Sequence, residues 1–239
     1  MRTFRVLGSL EISENGRLSP IMKSSKGCAL LTYLIVTGQN QTREHVADLF
    51  WDTSTASGLR NLRKVIHEVR QAVPELHVTR KIVAFRAEAD TLVDIHLLQA
   101  ALQQADIRQL DEGLQGYRGE LLATFYLDTA PRFNEWLTLN RERLRAGVNH
   151  AYHRLCQAYD EQQMWLEGIS AAQRWLTLDD LNEPAYRWLI QFLAENGQWA
   201  AAQQQYELCR TRLWDELQIE PEDATRRLLA QLKSRSDNA

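Results

Sequence analysis

The sequence predicts a mainly α-helical protein with two domains: a small mixed α/β domain at residues 1–93 and an all-α domain at residues 94–239. Three observations predict this class. Short β-rich runs precede residue 94, apolar residues recur at helical spacing along much of the chain, and a 34-residue repeat occupies the second half. With 239 residues, 44% of them hydrophobic, the chain can fold without a metal or a disulfide.

The first elements of the N-terminal domain are predicted to be a small sheet and a helix. The run FRVLGSLEIS at 4–13 alternates loosely, and Asn15-Gly16 then supplies the positive φ angles of a tight turn. Ser24 or Ser25 can cap a helix over 26–37, which Gly38 ends.

Two further helices and a hairpin follow. Thr42 is placed to cap a helix over 41–51, and a short turn leads to a helix over 55–73, which Pro74 helps to end. Two β-rich runs within 76–86 are separated by Arg80-Lys81, which predicts a hairpin with a basic tip.

The helix at 55–73 has two distinct faces. Its apolar stripe consists of Leu59, Leu62, Ile66, Val69 and Val73. Its second stripe lies roughly 130° away on the helical wheel and consists of Arg60, Arg63, Lys64, His67, Arg70 and Gln71. The second stripe is either an ordinary solvated surface or a cationic edge shaped to lie against an anionic partner.

The context favours an anionic partner. A helix, a short turn, a second helix and a basic hairpin form the layout of a winged helix-turn-helix, in which the second helix enters the major groove of DNA and the wing contacts phosphate. The predicted DNA-binding residues are Thr42, Arg60, Asn61, Arg63, Lys64, His67, Arg70, Arg80 and Lys81. Arginine can bond bidentately to guanine, asparagine can bond to adenine, and Thr42 at a helix start can bond to phosphate.

The charge distribution agrees with this prediction. Residues 1–93 carry 13 Lys+Arg and 9 Asp+Glu, an excess of four positive charges, whereas residues 94–239 carry 15 and 22, an excess of seven negative charges. We therefore expect phosphate to meet the first domain and not the second.

The second domain contains an internal repeat. The segment AYHRLCQAYDEQQMW at 151–165 aligns with AYRWLIQFLAENGQW at 185–199, at the period of a tetratricopeptide helix-turn-helix unit. A last helix over 220–232 would cap the array. Six tryptophans lie in this half, at positions 136, 165, 175, 188, 199 and 214. We expect most of them to pack in the core, with a concave peptide-binding groove as the alternative role.

No signal for an enzyme, a metal or a cofactor is present in the sequence. Phosphate-binding loops and catalytic triads are absent, and His150 and His153 have no third metal ligand nearby in sequence. Cys28, Cys156 and Cys209 have no metal-ligand spacing and are expected to be buried reduced thiols. The apolar run at 28–36 is too short to span a bilayer, so we expect a cytoplasmic protein with no membrane partner.

The order of these segments resembles a known family. The run LLTYLIV, then TREHVADLFW, ASGLRNLRKVIHEVR, the hairpin and ADTLVDIHLLQAAL are similar to the OmpR-like winged helix of SARP/AfsR-type bacterial regulators. The segments YRGELLATF and FNEWLTLNRERLR and the repeats resemble the bacterial transcriptional activator domain that follows it. The resemblance implies promoter binding, with paired protomers on direct repeats of double-stranded DNA, and recruitment of RNA polymerase. Related wings often carry a glycine-rich turn, which is missing here.

The sequence therefore predicts a DNA-binding transcriptional activator whose helical repeat domain dimerises or contacts the transcription machinery. The alternative is a protein–protein interaction scaffold whose winged helix no longer binds DNA. The cationic stripe distinguishes the two, because a scaffold would not need it.

Overall fold

The computed structural model describes residues 1–19 and 24–236, and the side chains of these residues except Leu229 and residues 232–236. The chain divides into two compact units. Unit 1 comprises Met1–Gln103 and Gln115–Arg145, and unit 2 comprises Gln104–Leu114 and Ala146–Ala239. Helices dominate and the small sheets lie near the N-terminus, so the predicted fold class is confirmed.

Unit 1 begins with the elements of the predicted N-terminal domain. In chain order they are β1 (Arg2–Arg5), β2 (Glu11–Glu14), β3 (Arg17–Leu18), α1 (Ser25–Thr37), β4 (Gln41–Thr42), α2 (Arg43–Phe50), α3 (Thr55–Ala72), β5 (Leu76–Val78), β6 (Ile82–Phe85), β7 (Thr91–Val93) and α4 (Asp94–Leu102). The predicted helix caps are confirmed. Ser24 Oγ accepts a hydrogen bond from Gly27 N, Thr42 Oγ1 accepts one from His45 N, and Gly38 ends α1 in the left-handed region.

Two small sheets frame these helices. One has the strand order β3-β2-β1-β7, in which β1 runs antiparallel to β2 and parallel to β7. The other is antiparallel with the order β4-β6-β5. The sequence did not predict β4 or β7, because runs of two or three residues show no periodicity and their partners lie far away in the chain.

Residues after position 93 complete the core of unit 1. The first half of α6 (Pro131–Glu161) belongs to this unit, and its Phe133 ring stacks on Phe50 of α2 with the centroids 4.9 Å apart. One turn further along α6, Trp136 packs edge-on against Tyr33 of α1, also at 4.9 Å. Aromatic side chains from α6 thus close the apolar surface that α1 and α2 leave open.

A single arginine holds the irregular segment that precedes α6. Arg141 lies on α6, and its Nε donates to the carbonyl oxygen of Leu121 at 2.8 Å. Its Nη2 donates to the carbonyl oxygens of Leu122 and Phe125. Leu122 has a positive φ, so the segment bends sharply where this guanidinium binds it.

Unit 2 consists of helices in its described part. They are α5 (Ile107–Gln115), the second half of α6, α7 (Trp165–Leu178), α8 (Glu183–Glu195), α9 (Trp199–Leu217) and α10 (Asp223–Ser236). The predicted repeat is confirmed, because the two matched Ala-Tyr pairs at 151–152 and 185–186 are buried and the matched Trp165 and Trp199 each begin a helix. The buried, unbridged cysteines predicted from the sequence are also found, at positions 28, 156 and 209.

The two repeats end their first helices with the same turn. Gly197 has a φ of 76°, and Gln163, which is 34 residues earlier, has a φ of 56°. In each turn the next residue donates a backbone hydrogen bond to a carbonyl five residues back, from Met164 to Tyr159 at 2.8 Å and from Gln198 to Leu193 at 2.7 Å. This is a left-handed helix termination, which glycine adopts at little cost and glutamine does not.

The last predicted helix, α10, is anchored to α8 through a buried carboxylate. Glu183, at the start of α8, accepts a hydrogen bond from the backbone N–H of Glu222 at 2.7 Å and another from the Thr225 hydroxyl. Arg187 Nη1 lies 3.0 Å from the Glu222 carboxylate. The sequence predicted a capping helix here, and the structure adds this polar connection.

Asp94 connects the end of β1 to the start of α4. Its carboxylate accepts hydrogen bonds from the backbone N–H groups of Val6, Leu7 and Ile95, at 2.7–3.0 Å. Burial raises the pKa of the Asp94 carboxyl, while these three N–H donors act in the opposite direction. Three backbone donors therefore depend on one side chain.

Within the part of the chain that the structure describes, none of the helices is both long enough and apolar enough to cross a membrane.

Asp94→Ala should lower the free energy of unfolding of unit 1 by about 2–4 kcal/mol, because buried N–H donors lose their acceptor. Asp94→Asn retains one acceptor oxygen and should lose less. Urea titration followed by circular dichroism, with hydrogen exchange of residues 1–14, measures both. If the alanine variant is as stable as the parent, the carboxylate does not hold this junction.

Gln163→Gly should raise the free energy of unfolding of unit 2 by about 0.5–1 kcal/mol, because glycine relieves the left-handed backbone of the first repeat turn. Gly197→Gln is the matched reverse change and should lower it by a similar amount. Chemical denaturation monitored by tryptophan fluorescence measures the two shifts. Shifts of the same sign for both variants would contradict the equivalence of the two turns.

Candidate nucleic-acid interface

The apolar face of α3 is buried in unit 1 as predicted. Leu62, Ile66, Val69 and Val73 are buried, and Leu59 at the edge of the stripe is half-buried. Near the start of α3, a Cβ added to Gly58 would lie 3.4 Å from the Ala47 Cβ of α2. The helix is therefore seated closely against α2, and its opposite face is left to solvent.

The cationic stripe of α3 is exposed. The side chains of Arg60, Arg63, Lys64, His67, Arg70 and Gln71 all face solvent. Across residues 1–19 and 24–236, none of the four cationic side chains at 60, 63, 64 and 70 forms an ion pair or a hydrogen bond within the chain. These charges remain available to an external anion.

His67 and Asn61 differ from the cations of the stripe. His67 Nε2 lies 3.2 Å from the amide nitrogen of Gln71, so these two exposed side chains form a pair on adjacent turns. Asn61 is only half-exposed, at the margin between the stripe and the buried face.

Three residues that the sequence did not single out hold α3 in place. Arg2 of β1 donates from Nη2 to the carbonyl oxygen of Ala72 at 2.8 Å, which places a cation at the C-terminal end of α3. The same guanidinium pairs with buried Glu75 at 3.2 Å. Glu68 of α3 accepts a hydrogen bond from Ser24 N at 2.9 Å, so its carboxylate is engaged at the start of α1.

Lys26 of α1 stabilises the turn between α2 and α3. Lys26 Nζ lies 4.7 Å from the centre of the Trp51 ring and donates to the carbonyl oxygen of Phe50 at 3.2 Å. Burial lowers the pKa of Lys26. This cation stabilises the end of α2 and is not part of the exposed stripe.

The hairpin is short, and its tip carries the predicted pair of cations. Strands β5 and β6 pair from Leu76↔Phe85 to Val78↔Val83, which leaves Arg80 and Lys81 exposed at the turn. Thr79 Oγ1 accepts hydrogen bonds from the backbone N–H groups of residues 81 and 82, and no residue of the turn has a positive φ. The threonine hydroxyl therefore closes this turn without a left-handed residue.

The start of α2 lies beside this tip. Thr42 pairs with Ile82 in the small sheet, and Arg43 N donates to the carbonyl oxygen of Lys81 at 2.9 Å. Thr42 is exposed, and its hydroxyl accepts from His45 N while its hydrogen remains available to donate. The structure thus brings Thr42, Arg80 and Lys81 together, whereas the other predicted site residues lie on α3.

The tryptophans of the second half are less buried than predicted. Trp175 is buried, Trp214 is exposed, and the other four are intermediate. Trp188 explains part of the difference, because it lines a groove of about 310 Å³ between α6, α8 and α10, where its ring meets the edge of His153. Among the described residues, no three His, Cys, Asp or Glu side chains gather as metal ligands.

Comparison with known proteins places this architecture in a family. The bacterial transcriptional activator domain matches residues 82–233. Among solved structures, EmbR of Mycobacterium tuberculosis in complex with a low-affinity phosphopeptide is similar, with a TM-score of 0.64 and 18% identity. The similarity covers 98% of this chain and 65% of that one, so this chain spans about two thirds of the EmbR length. No curated protein matches significantly. The chain belongs to the bacterial transcriptional activator domain family.

Proposed function

We propose that the protein binds double-stranded promoter DNA by inserting α3 into the major groove. The observation that carries this proposal is the exposed stripe of α3 opposite a buried apolar face, in which the four Lys and Arg side chains form no ion pair with any described residue. Arg60 lies three residues from Arg63 and four from Lys64, and like charges at this spacing destabilise a helix by roughly 0.2–0.5 kcal/mol per pair. An external anion relieves this repulsion. Duplex DNA is the anionic partner whose major groove accommodates an α-helix.

Within this proposal the residues have two kinds of role. Base edges are contacted by the side chains between positions 60 and 67 of α3, namely Arg60, Asn61, Arg63, Lys64 and His67, whereas Arg70 lies near the end of the helix and contacts phosphate. The hairpin tip and the start of α2 form a second phosphate-binding surface, made of Thr42, Arg80 and Lys81. Because its turn is short, the hairpin binds the DNA backbone and leaves sequence reading to α3.

The remaining parts of the proposal rest on the sequence pattern, which sets the domain bounds, and on the family, which suggests the partners. Residues 1–93 form the DNA-binding domain, and residues 94–239 form the activator domain. Paired protomers bind direct repeats, and the helical repeat domain dimerises or contacts RNA polymerase to activate transcription in the cytoplasm. The proposed function includes no enzymatic activity.

Arg63→Ala and Lys64→Ala should each weaken DNA binding, and the residue that reads a base should cost about 1–3 kcal/mol and relax specificity at one position. Arg80→Ala should weaken binding to all sequences alike and reduce the salt slope by about one. Fluorescence anisotropy with duplexes of several sequences, titrated with salt, measures both effects.

Arg108→Ala is the matched control, because Arg108 is an exposed arginine on α5 in unit 2. We expect its affinity and salt slope to equal those of the parent. The proposal is wrong if the parent shows no salt-dependent DNA binding, or if the three interface variants bind as tightly as Arg108→Ala.

An interaction scaffold with an inactive winged helix is the alternative function. It predicts DNA binding that is undetectable or insensitive to salt, so the same titration separates the two functions.

A further inference from the structure

The hydrogen-bonding groups on the exposed face of α3 are almost entirely donors. Arginine and lysine side chains donate and cannot accept, and they occupy positions 60, 63, 64 and 70. A face of this kind can bond only to base edges that present acceptors. The amino groups of adenine and cytosine are therefore excluded as hydrogen-bond partners.

The single carboxylate of α3 does not provide an acceptor on the exposed face. Glu68 is the only acidic residue in the helix, and its carboxylate accepts a hydrogen bond from Ser24 N at 2.9 Å. A carboxylate would be the natural acceptor for the amino group of cytosine. Since Glu68 is held at the start of α1, no acidic side chain of α3 is left to select cytosine.

Neither amide side chain of α3 lies free within the exposed stripe. Asn61 is half-buried at the margin, and the amide of Gln71 lies against His67 at 3.2 Å. Bidentate amide contacts are the usual way to recognise adenine. The N-terminal part of the stripe, at Arg60, Arg63 and Lys64, therefore has no amide for the bidentate recognition of adenine.

Guanine matches the N-terminal part of the stripe. In the major groove it presents two acceptors, N7 and O6, which fit the paired donors of a guanidinium. Arg60 and His67 are separated by about 10.5 Å along the helix axis, which corresponds to about three base-pair steps. The spacing allows neighbouring side chains of the stripe to reach successive base pairs.

We propose that α3 recognises a guanine-rich track, with at least two guanines that Arg60, Arg63 and Lys64 contact within about four base pairs. This inference rests on the proposed DNA-binding function and adds the chemical class of its target. The hairpin tip adds affinity without base preference, so the guanine preference resides in α3.

In vitro selection from a random duplex library, with the full chain at physiological salt, provides the first test. The bound fraction should be enriched in guanine at two or more positions within a four-base-pair window. Each guanine of a selected duplex is then replaced by 7-deazaguanine, which pairs normally but lacks the N7 acceptor. Affinity should fall roughly tenfold at the contacted guanines and stay unchanged when the replacement lies outside the window.

Arg63→Lys separates base recognition from charge. The lysine retains the positive charge but replaces the rigid pair of guanidinium donors with a flexible ammonium group, which holds the two guanine acceptors less well. We expect the salt slope to match that of the parent, while the effect of 7-deazaguanine becomes smaller at one position. Arg108→Ala, which removes a charge from unit 2, should keep the full 7-deazaguanine effect.

The outcomes distinguish this inference from the function on which it rests. Salt-dependent DNA binding with no guanine enrichment, or with no response to 7-deazaguanine, would overturn the inference and leave the DNA-binding function standing. The absence of any DNA binding would overturn both.

Discussion

The burial of one face of α3 is the constraint on which the rest of unit 1 depends. Leu62, Ile66 and Val69 are removed from water against α1 and α2, and each fully buried aliphatic side chain contributes roughly 1.5–3 kcal/mol. Once this face is buried, the rotation of α3 about its axis is determined. The cations on the opposite face are then exposed by geometry, with no further interaction needed to orient them.

The polar contacts around α3 set its position along its axis and keep the exposed stripe free of acidic partners. Arg2 binds the last carbonyl of the helix, and Glu68 binds the start of α1. Both side chains could have neutralised or crowded the stripe, but each is used inside the unit. Glu68 of α3 is therefore bonded within unit 1, whereas the exposed Lys and Arg side chains of the helix form no ion pair with any described residue.

The same unit extends into the segment that the family assigns to the activator domain. Phe133 and Trp136 of α6 cover Phe50 and Tyr33 of the helix-turn-helix, so the winged helix shares a core with residues beyond position 93. A truncation at that position would expose this aromatic surface to water. The match to the activator domain begins at residue 82, so the boundary of that family lies inside unit 1 and does not coincide with the end of the unit.

Local patterns in the sequence were sufficient for several features. The helix caps at Ser24 and Thr42 and the helix end at Gly38 depend on interactions within a few residues, so the sequence predicts them. The repeat is also predictable, because its residues recur at a constant spacing of 34. The left-handed turn at Gln163 was not readable, because glutamine carries no signal for that conformation; only its equivalence to Gly197 could have indicated it. The burial of the tryptophans was overestimated, because helical spacing does not distinguish a core position from the lining of a groove.

The sequence by itself determined which side chains share a face of α3, because that depends only on the helical period. Only the tertiary structure decided that Glu68 and Arg2 are occupied within the unit and that Thr42 lies beside Lys81. These contacts join residues from different elements of the chain, and their partners are selected by packing and by the need to satisfy buried polar groups. A periodic pattern along the chain carries no information about such partners.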